Sequence, residues 1–463
     1  MFKKIAGILF LVMIGFAFTL SPVFGQGRLK VSANNRYFTT ATGESFFWLG
    51  DTGWLLFSKL NREEAEKYLE DRRCKGFNVI QVMVLHSVAV VNAYGDSALI
   101  NKNVATPRII PGNSITDKKT YDYWDHVDYI VDLAAQKGIY IAMVPIWGSN
   151  IKEKLVNQLQ ARAYAEFLAK RYKNKVNVIW MNGGDIQGSD SIKVWNTIGI
   201  TLHQFDTSHL ITFHPRGRTQ SSTWFHNQNW LSFNIFQSGH QNYAQDTSKN
   251  DLNYGEDNWK YVNADYNKLP TKPTLDAEPS YEGIPQGLHD IKQSRWTDSD
   301  VRRYAYWSVF AGACGYTYGD NSVMQMLKPA DKSISYGAKA FWYDAINDPG
   351  ALQMVYLKKL MLSRPYFERV PDQSLISGKQ GEKYNFLIAT RGKNYAFIYT
   401  YNGRNIPVVM GKLTGERVKA SWYNPRTGKT QIIGSFPNKG THEFDPPGEL
   451  MNGNDWVLII DSI

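Results

Sequence analysis

A chain of 463 residues is too long for one ordinary domain and suits two or three. After the first 25 residues no stretch of about 20 apolar residues occurs, which excludes a membrane span in the remainder. The net charge of +10 comes without a long Lys/Arg run or a nucleic-acid motif, so nucleic acid is excluded as a partner and an acidic polysaccharide remains a candidate.

Residues 1–25 read as a signal peptide. Lys3-Lys4 is the charged start, 5–20 the apolar stretch, and Val23-Phe24-Gly25 a cleavage site before Gln26. Export follows, to the periplasm or to the outside; an uncleaved anchor is the other reading. Beyond it, strand, loop and helix alternate. Strand 46–50 leads into Asp51-Thr52-Gly53-Trp54, and helix 62–75 follows, with Asn61 and Glu64 in a capping-box pattern and Gly76 at its end. Cys74 and Cys314 lack metal or redox spacing, and whether they pair stays open. Strand 78–85 is a continuous apolar run, as expected of a strand buried on both faces. Loop 86–120, helix 121–136, strand 139–146, helix 154–172 and strand 176–181 come next, the last ending in Asn182-Gly183-Gly184-Asp185. Helix 192–205 leads to strand 210–213 with His214-Pro215-Arg216, and strand 232–236 ends at Gln237. After a helix around 258–266, strand 273–277 runs into Glu278-Pro279-Ser280-Tyr281; helix 298–311 precedes strand 315–318, which ends at Gly319-Asp320.

Eight such units predict an α/β protein, a (β/α)8 TIM barrel over residues 26–368. From 369 to 463 the pattern changes to period-2 runs at 386–390, 395–399, 418–423, 431–433 and 456–460, divided by turn residues. These predict a small antiparallel β-sandwich domain, joined to the barrel without a flexible linker.

Active sites of this barrel lie at the C-terminal strand ends. Glycoside hydrolysis needs two carboxyl groups there, one to protonate the leaving oxygen and one to attack the anomeric carbon or activate water. Asp185 after strand four and Glu278 after strand seven are the candidate catalytic pair. Strand alternation places Asp276 and Glu278 on one inward face. Asp51, Trp54, His86, Trp147, His214, Arg216, Gln237, Tyr281 and Tyr318 are candidate substrate-binding residues. Aromatic residues make up 14% of the chain, and their flat faces suit the C–H patches of sugar rings. His86, His214 and His240 lack paired ligand spacing, so hydrogen bonding to substrate is expected of them rather than metal binding. Neither a metal nor a cofactor is called for.

Three stretches carry a resemblance: Phe47-Trp48-Leu49-Gly50-Asp51-Thr52-Gly53-Trp54, Asn182-Gly183-Gly184-Asp185 and Asp276-Ala277-Glu278-Pro279. With them the chain, from about residue 29 to its end, resembles the apiosidase-like family, glycoside hydrolase family 140. The tail, with Trp422-Tyr423-Asn424-Pro425-Arg426-Thr427-Gly428 and Asp455-Trp456-Val457-Leu458, resembles the collagen-binding-type β-sandwich often attached to this barrel, although nothing in the sequence supports collagen as a ligand. The resemblance implies an endo-apiosidase that hydrolyses the apiose–galacturonate bond of rhamnogalacturonan-II, a plant pectin. Asp185 would be the acid/base and Glu278 the nucleophile of a retaining reaction. A basic chain fits such an acidic substrate. Three other readings remain: a glycosidase of the same family with another substrate, a non-catalytic carbohydrate-binding protein on the barrel scaffold, and a matrix-binding protein.

Overall fold

A computed structural model describes residues 27–247 and 253–463; the signal-peptide reading lies outside the described residues. Eight parallel strands form the catalytic part: β1 (Trp48–Thr52), β2 (Val79–Leu85), β3 (Tyr140–Ile146), β4 (Val178–Ile186), β5 (Ile211–Pro215), β6 (Asn234–Gln237), β7 (Thr274–Asp276) and β8 (Gly315–Tyr318). They lie in the order β5-β4-β3-β2-β1-β8-β7-β6, and the two-residue strand Thr219–Gln220 adds antiparallel to β6 as the ninth. The sheet is a nearly closed barrel. At its seam Ser232 N–H donates to Ile211 O at 2.7 Å and Thr212 Oγ1 donates to Phe233 O at 2.8 Å. All seven residues of β3 are buried, as expected of a strand with barrel interior on one face and helices on the other.

The helices that follow the strands are α1 (Arg62–Cys74), α2 (Tyr123–Gln136), α3 (Gln158–Tyr172), α4 (Ile192–Phe205), α5 (Ser222–Phe225), α6 (Trp259–Tyr266), α7 (Asp298–Phe310) and α8 (Pro349–Leu362). Local chemistry sets their starts. Asn61 Oδ1 accepts from Glu64 N–H at 2.8 Å while Glu64 returns a bond to Asn61 N–H at 2.9 Å, the expected capping box. The same device at Asn157 and Gln160 starts α3 at Gln158, four residues later than its apolar pattern suggests. Pro349 in the first turn of α8 supplies the fixed φ a helix start requires. Cys74 is exposed, Cys314 is buried, and both are free thiols.

The C-terminal part is antiparallel. Its strands are β9 (Val370–Pro371), β10 (Ile388–Arg391), β11 (Tyr395–Thr400), β12 (Ile406–Val409), β13 (Arg417–Tyr423), β14 (Thr430–Pro437), β15 (Thr441–Phe444) and β16 (Trp456–Ser462). Six form a sheet in the order β9-β10-β11-β16-β13-β14, and β12 pairs with β15. Ile398, Ile406, Val408, Trp422, Phe444 and Leu458 belong to the small core shared by the two sheets. Phe397, Tyr399 and Ile459 instead join the main core, with Trp307 and Phe310 of α7. Tyr306 stacks on Tyr399 at 4.8 Å between centroids, and the buried Arg302 grips Asp455 with two bonds of 3.0 and 3.1 Å.

Candidate active site

At the C-terminal strand ends the loops enclose a cleft of about 660 Å³. Asp185 reaches it from the end of β4 through a turn in which Gly183, Gly184 and Asp185 all have left-handed φ, +92°, +117° and +47°. Glycine is required at the first two positions. A Cβ on Gly183 would lie 2.5 Å from His214 O, and one on Gly184 would lie 2.6 Å from the Trp147 ring. The turn leaves the Asp185 side chain open to the cleft, with protein on most other sides. That desolvation, with the nearby charge of Glu278 second, raises its pKa above the ordinary carboxylate value.

Glu278 lines the same cleft from the loop after β7 and is buried between two imidazoles. His240 Nε2 lies 3.4 Å from Oε1. His214 Nε2 lies 3.2 Å from Oε2, close enough for an ionic contact but not aligned as a hydrogen bond. Burial alone would raise the Glu278 pKa; the contacts and charge of the two histidines outweigh it and hold the carboxyl at about 2. Two carboxyl groups in one cleft are thus pushed apart, one toward holding a proton and one toward remaining ionised.

Aromatic side chains build the wall beside them. Trp54 Nε1 donates to the Tyr281 hydroxyl at 3.0 Å, and the Trp54 ring stands 5.4 Å from Trp147 and edge-on to His214 at 5.3 Å. Tyr281 packs edge-on against His240 at 4.8 Å. Gln237 faces the cleft, and its Oε1 has no hydrogen-bond partner among the described residues, which leaves an acceptor for a ligand hydroxyl. His86 and Arg216 also line the cleft; burial first, then the Lys59 charge, lowers the His86 pKa. A smaller cavity of about 320 Å³ shares Trp147, Lys152, Asp185 and Arg216 with the cleft. Asp185 therefore stands between two spaces, and Glu278 opens on the larger one.

Three expected substrate contacts are corrected. Asp51 is fully buried and turns toward α1, where Tyr68 Oη and Arg72 Nε each donate to its Oδ2 at 2.6 Å; it closes an internal ion pair. Tyr318 is buried and donates its hydroxyl to Glu282 Oε2 at 2.6 Å, outside the cleft. His214 has no exposed surface and lies behind Glu278 rather than against a ligand. The shared face expected for Asp276 and Glu278 is also absent. β7 ends at Asp276, whose Oδ2 accepts from Ser238 Oγ at 2.6 Å and Asn258 Nδ2 at 3.0 Å, so the period-2 alternation does not extend to Glu278.

Other cleft residues carried no sequence signal. Tyr336 lines it from a turn after β8, with φ +49° and its carbonyl held by Asn321 Nδ2 at 3.0 Å. Arg218 lines it with Nη1 bonded to Asp246 Oδ1 at 2.7 Å. Both sit on loops, where no periodicity marks a side chain's direction. His240 stood out only as an unpaired histidine; its role as a clamp on Glu278 depends on a contact across 38 residues. Among the described residues no group of three His, Cys, Asp or Glu is placed to hold a metal ion.

Residues 32–368 match the family model described as the apiosidase-like catalytic domain. Residues 370–461 match one described as the supposed collagen-binding domain of a collagenase. Among solved structures the chain is similar to a glycoside hydrolase with 49% identity, over 94% of this chain and 97% of that one, at a TM-score of 0.89. It is also similar to a glycoside hydrolase family 5 protein from Bacteroides vulgatus ATCC 8482, with 47% identity over 94% of each chain and a TM-score of 0.89. No curated protein matches it.

Proposed function

This chain belongs to the apiosidase-like family of glycoside hydrolases, and from that premise we propose that it is an endo-apiosidase cleaving the apiose–galacturonate bond of rhamnogalacturonan-II with retention of configuration. The observation that carries the catalytic reading is the opposed state of the two carboxyl groups in one cleft: Asp185 raised, Glu278 held at about 2. In the first step Glu278 attacks the anomeric carbon, the glycosidic C–O bond breaks, and the departing oxygen takes the proton of Asp185. In the second, water gives a proton to Asp185 and its oxygen displaces Glu278 from the sugar, restoring both groups. The apiosyl unit occupies the larger space beside Glu278, against Trp54 and Trp147. The leaving galacturonate enters the smaller space past Asp185, where Lys152 offers positive charge to a uronate carboxylate.

The scaffold reads as a (β/α)8 barrel closed at the Ile211–Ser232 bond and followed by a β-sandwich. Export to the periplasm or beyond belongs to the same reading, because an intact pectin reaches an enzyme only outside the inner membrane. Oligosaccharide release from purified rhamnogalacturonan-II tests the function. Wild type should release product, and Glu278→Gln and Asp185→Asn should each lose about 100-fold or more. No release by wild type would reject the apiosidase assignment, and full release by either variant would reject that residue's role.

A further inference from the structure

The proton donor and the nucleophile come from β4 and β7, which are not neighbours in the sheet, yet one buried side chain touches both loops. His214, at the end of β5, accepts the backbone N–H of Asp185 on Nδ1 at 3.3 Å and sets Nε2 3.2 Å from Glu278 Oε2. Accepting at Nδ1 requires a lone pair there, which leaves Nε2, the nitrogen that faces the carboxylate, as the place for a ring proton. The rings of Trp54 and Trp147, at 5.3 and 5.9 Å, hold the imidazole in place. Asp185 and Glu278 both interact electrostatically with it.

We infer that His214 is a positioning residue that ties the loop of the proton donor to the nucleophile and does not touch the sugar. This rests on the roles assigned above to Asp185 and Glu278. The two contacts do separate jobs. The one at Nδ1 fixes the backbone from which Asp185 projects, and so the direction in which its proton is delivered. The one at Nε2 fixes one oxygen of Glu278, while His240 holds the other at 3.4 Å. Contacts of this kind tighten when substrate is bound.

Two substitutions separate the jobs by shape. His214→Asn places an amide oxygen where Nδ1 stands, so it keeps the acceptor for Asp185 and loses the donor to Glu278. His214→Gln reaches toward the Nε2 position, so it keeps the donor and drops the acceptor. Each is assayed on rhamnogalacturonan-II, whose leaving oxygen needs a proton, and on 4-nitrophenyl apioside, whose leaving group departs without one. The expected loss for His214→Gln is about 100-fold on the glycan and under about 5-fold on the aryl glycoside, the signature of misdirected acid catalysis. For His214→Asn it is about 10- to 100-fold on both. The ratio of the two rates within one preparation does not depend on how much of a variant has folded. Wild-type ratios and rates in both variants, or an equal loss on both substrates by His214→Gln, would overturn the inference. Glu278→Gln and Asp185→Asn run alongside. Should either keep the wild-type rate on the glycan, the two-carboxylate reading itself fails; should both lose activity while the His214 variants behave as wild type, only the positioning role fails.

Discussion

At the scale of single residues, environment decides what a carboxylate does. Glu278 at about 2 stays ionised across the working range, so it imposes no limit on activity until strongly acidic pH. Asp185 must carry a proton to act as an acid, and its pKa is raised, so activity falls as pH rises through that value. We expect the basic limb of the pH–kcat/KM profile on the glycan to disappear in Asp185→Asn, leaving a low, pH-independent rate; an unchanged basic limb would assign it to another group. Asp51 shows the opposite case. A polar residue at a C-terminal strand end reads in sequence as a ligand contact, but its partners Tyr68 and Arg72, four positions apart on α1, are visible only once the helix packs. Asp51→Ala removes the buried carboxylate at Arg72 Nε and leaves the guanidinium only Asp71 Oδ1 and the Ile346 carbonyl, both on Nη1, which costs about 3 kcal/mol. Chemical denaturation should show that loss, with kcat of the folded fraction unchanged; a raised KM without loss of stability would restore a substrate role.

At the scale of elements, capping and glycine placement were readable and loop direction was not. Asn61 with Glu64, and the glycine pair before Asp185, are local signals that need no tertiary contact, and both fall where the sequence pattern places them. α8 has a regular buried stripe, Gly350, Ala351, Met354, Leu357, Leu360 and Met361, but the apolar Leu352, Val355 and Leu362 lie off it, so the sequence shows no hydrophobic contrast there; the helix is held between the barrel and the C-terminal sheet. Tyr336 carries no signal in the sequence because nothing local directs its side chain. The Gly183–Gly184 turn carries the strongest prediction at this scale. Gly184→Ala puts a Cβ 2.6 Å from the Trp147 ring at φ +117°. The strain is about 1–3 kcal/mol. The turn should relieve it by moving Asp185, so kcat on the glycan should fall at least about 10-fold with only a small drop in thermal stability. Wild-type kcat in a folded Gly184→Ala protein would contradict this.

At the scale of the whole molecule, the two parts share one core. The lack of a flexible linker near residue 369 already pointed to fixed packing, but not to its partners. Arg302 with Asp455, Tyr306 on Tyr399, and Arg364 with Asp461 at 2.7 and 2.8 Å tie α7 and the chain after α8 to the antiparallel sheet. Removing residues after 369 would expose Trp307 and Phe310. We expect such a truncation to lose its cooperative thermal transition and its activity together. A truncated barrel that melts cooperatively and keeps wild-type kcat would show that the C-terminal part has a separate task.

The central claim, a retaining glycosidase with Glu278 as nucleophile, is tested most directly by trapping its covalent intermediate. In Asp185→Asn the first step on 4-nitrophenyl apioside needs no acid, while the second lacks its base, so the glycosyl-enzyme should accumulate. Peptide mass spectrometry of the quenched reaction should find the sugar on the peptide carrying Glu278. An adduct on any other residue, or turnover of the aryl glycoside with none at all, would contradict the account.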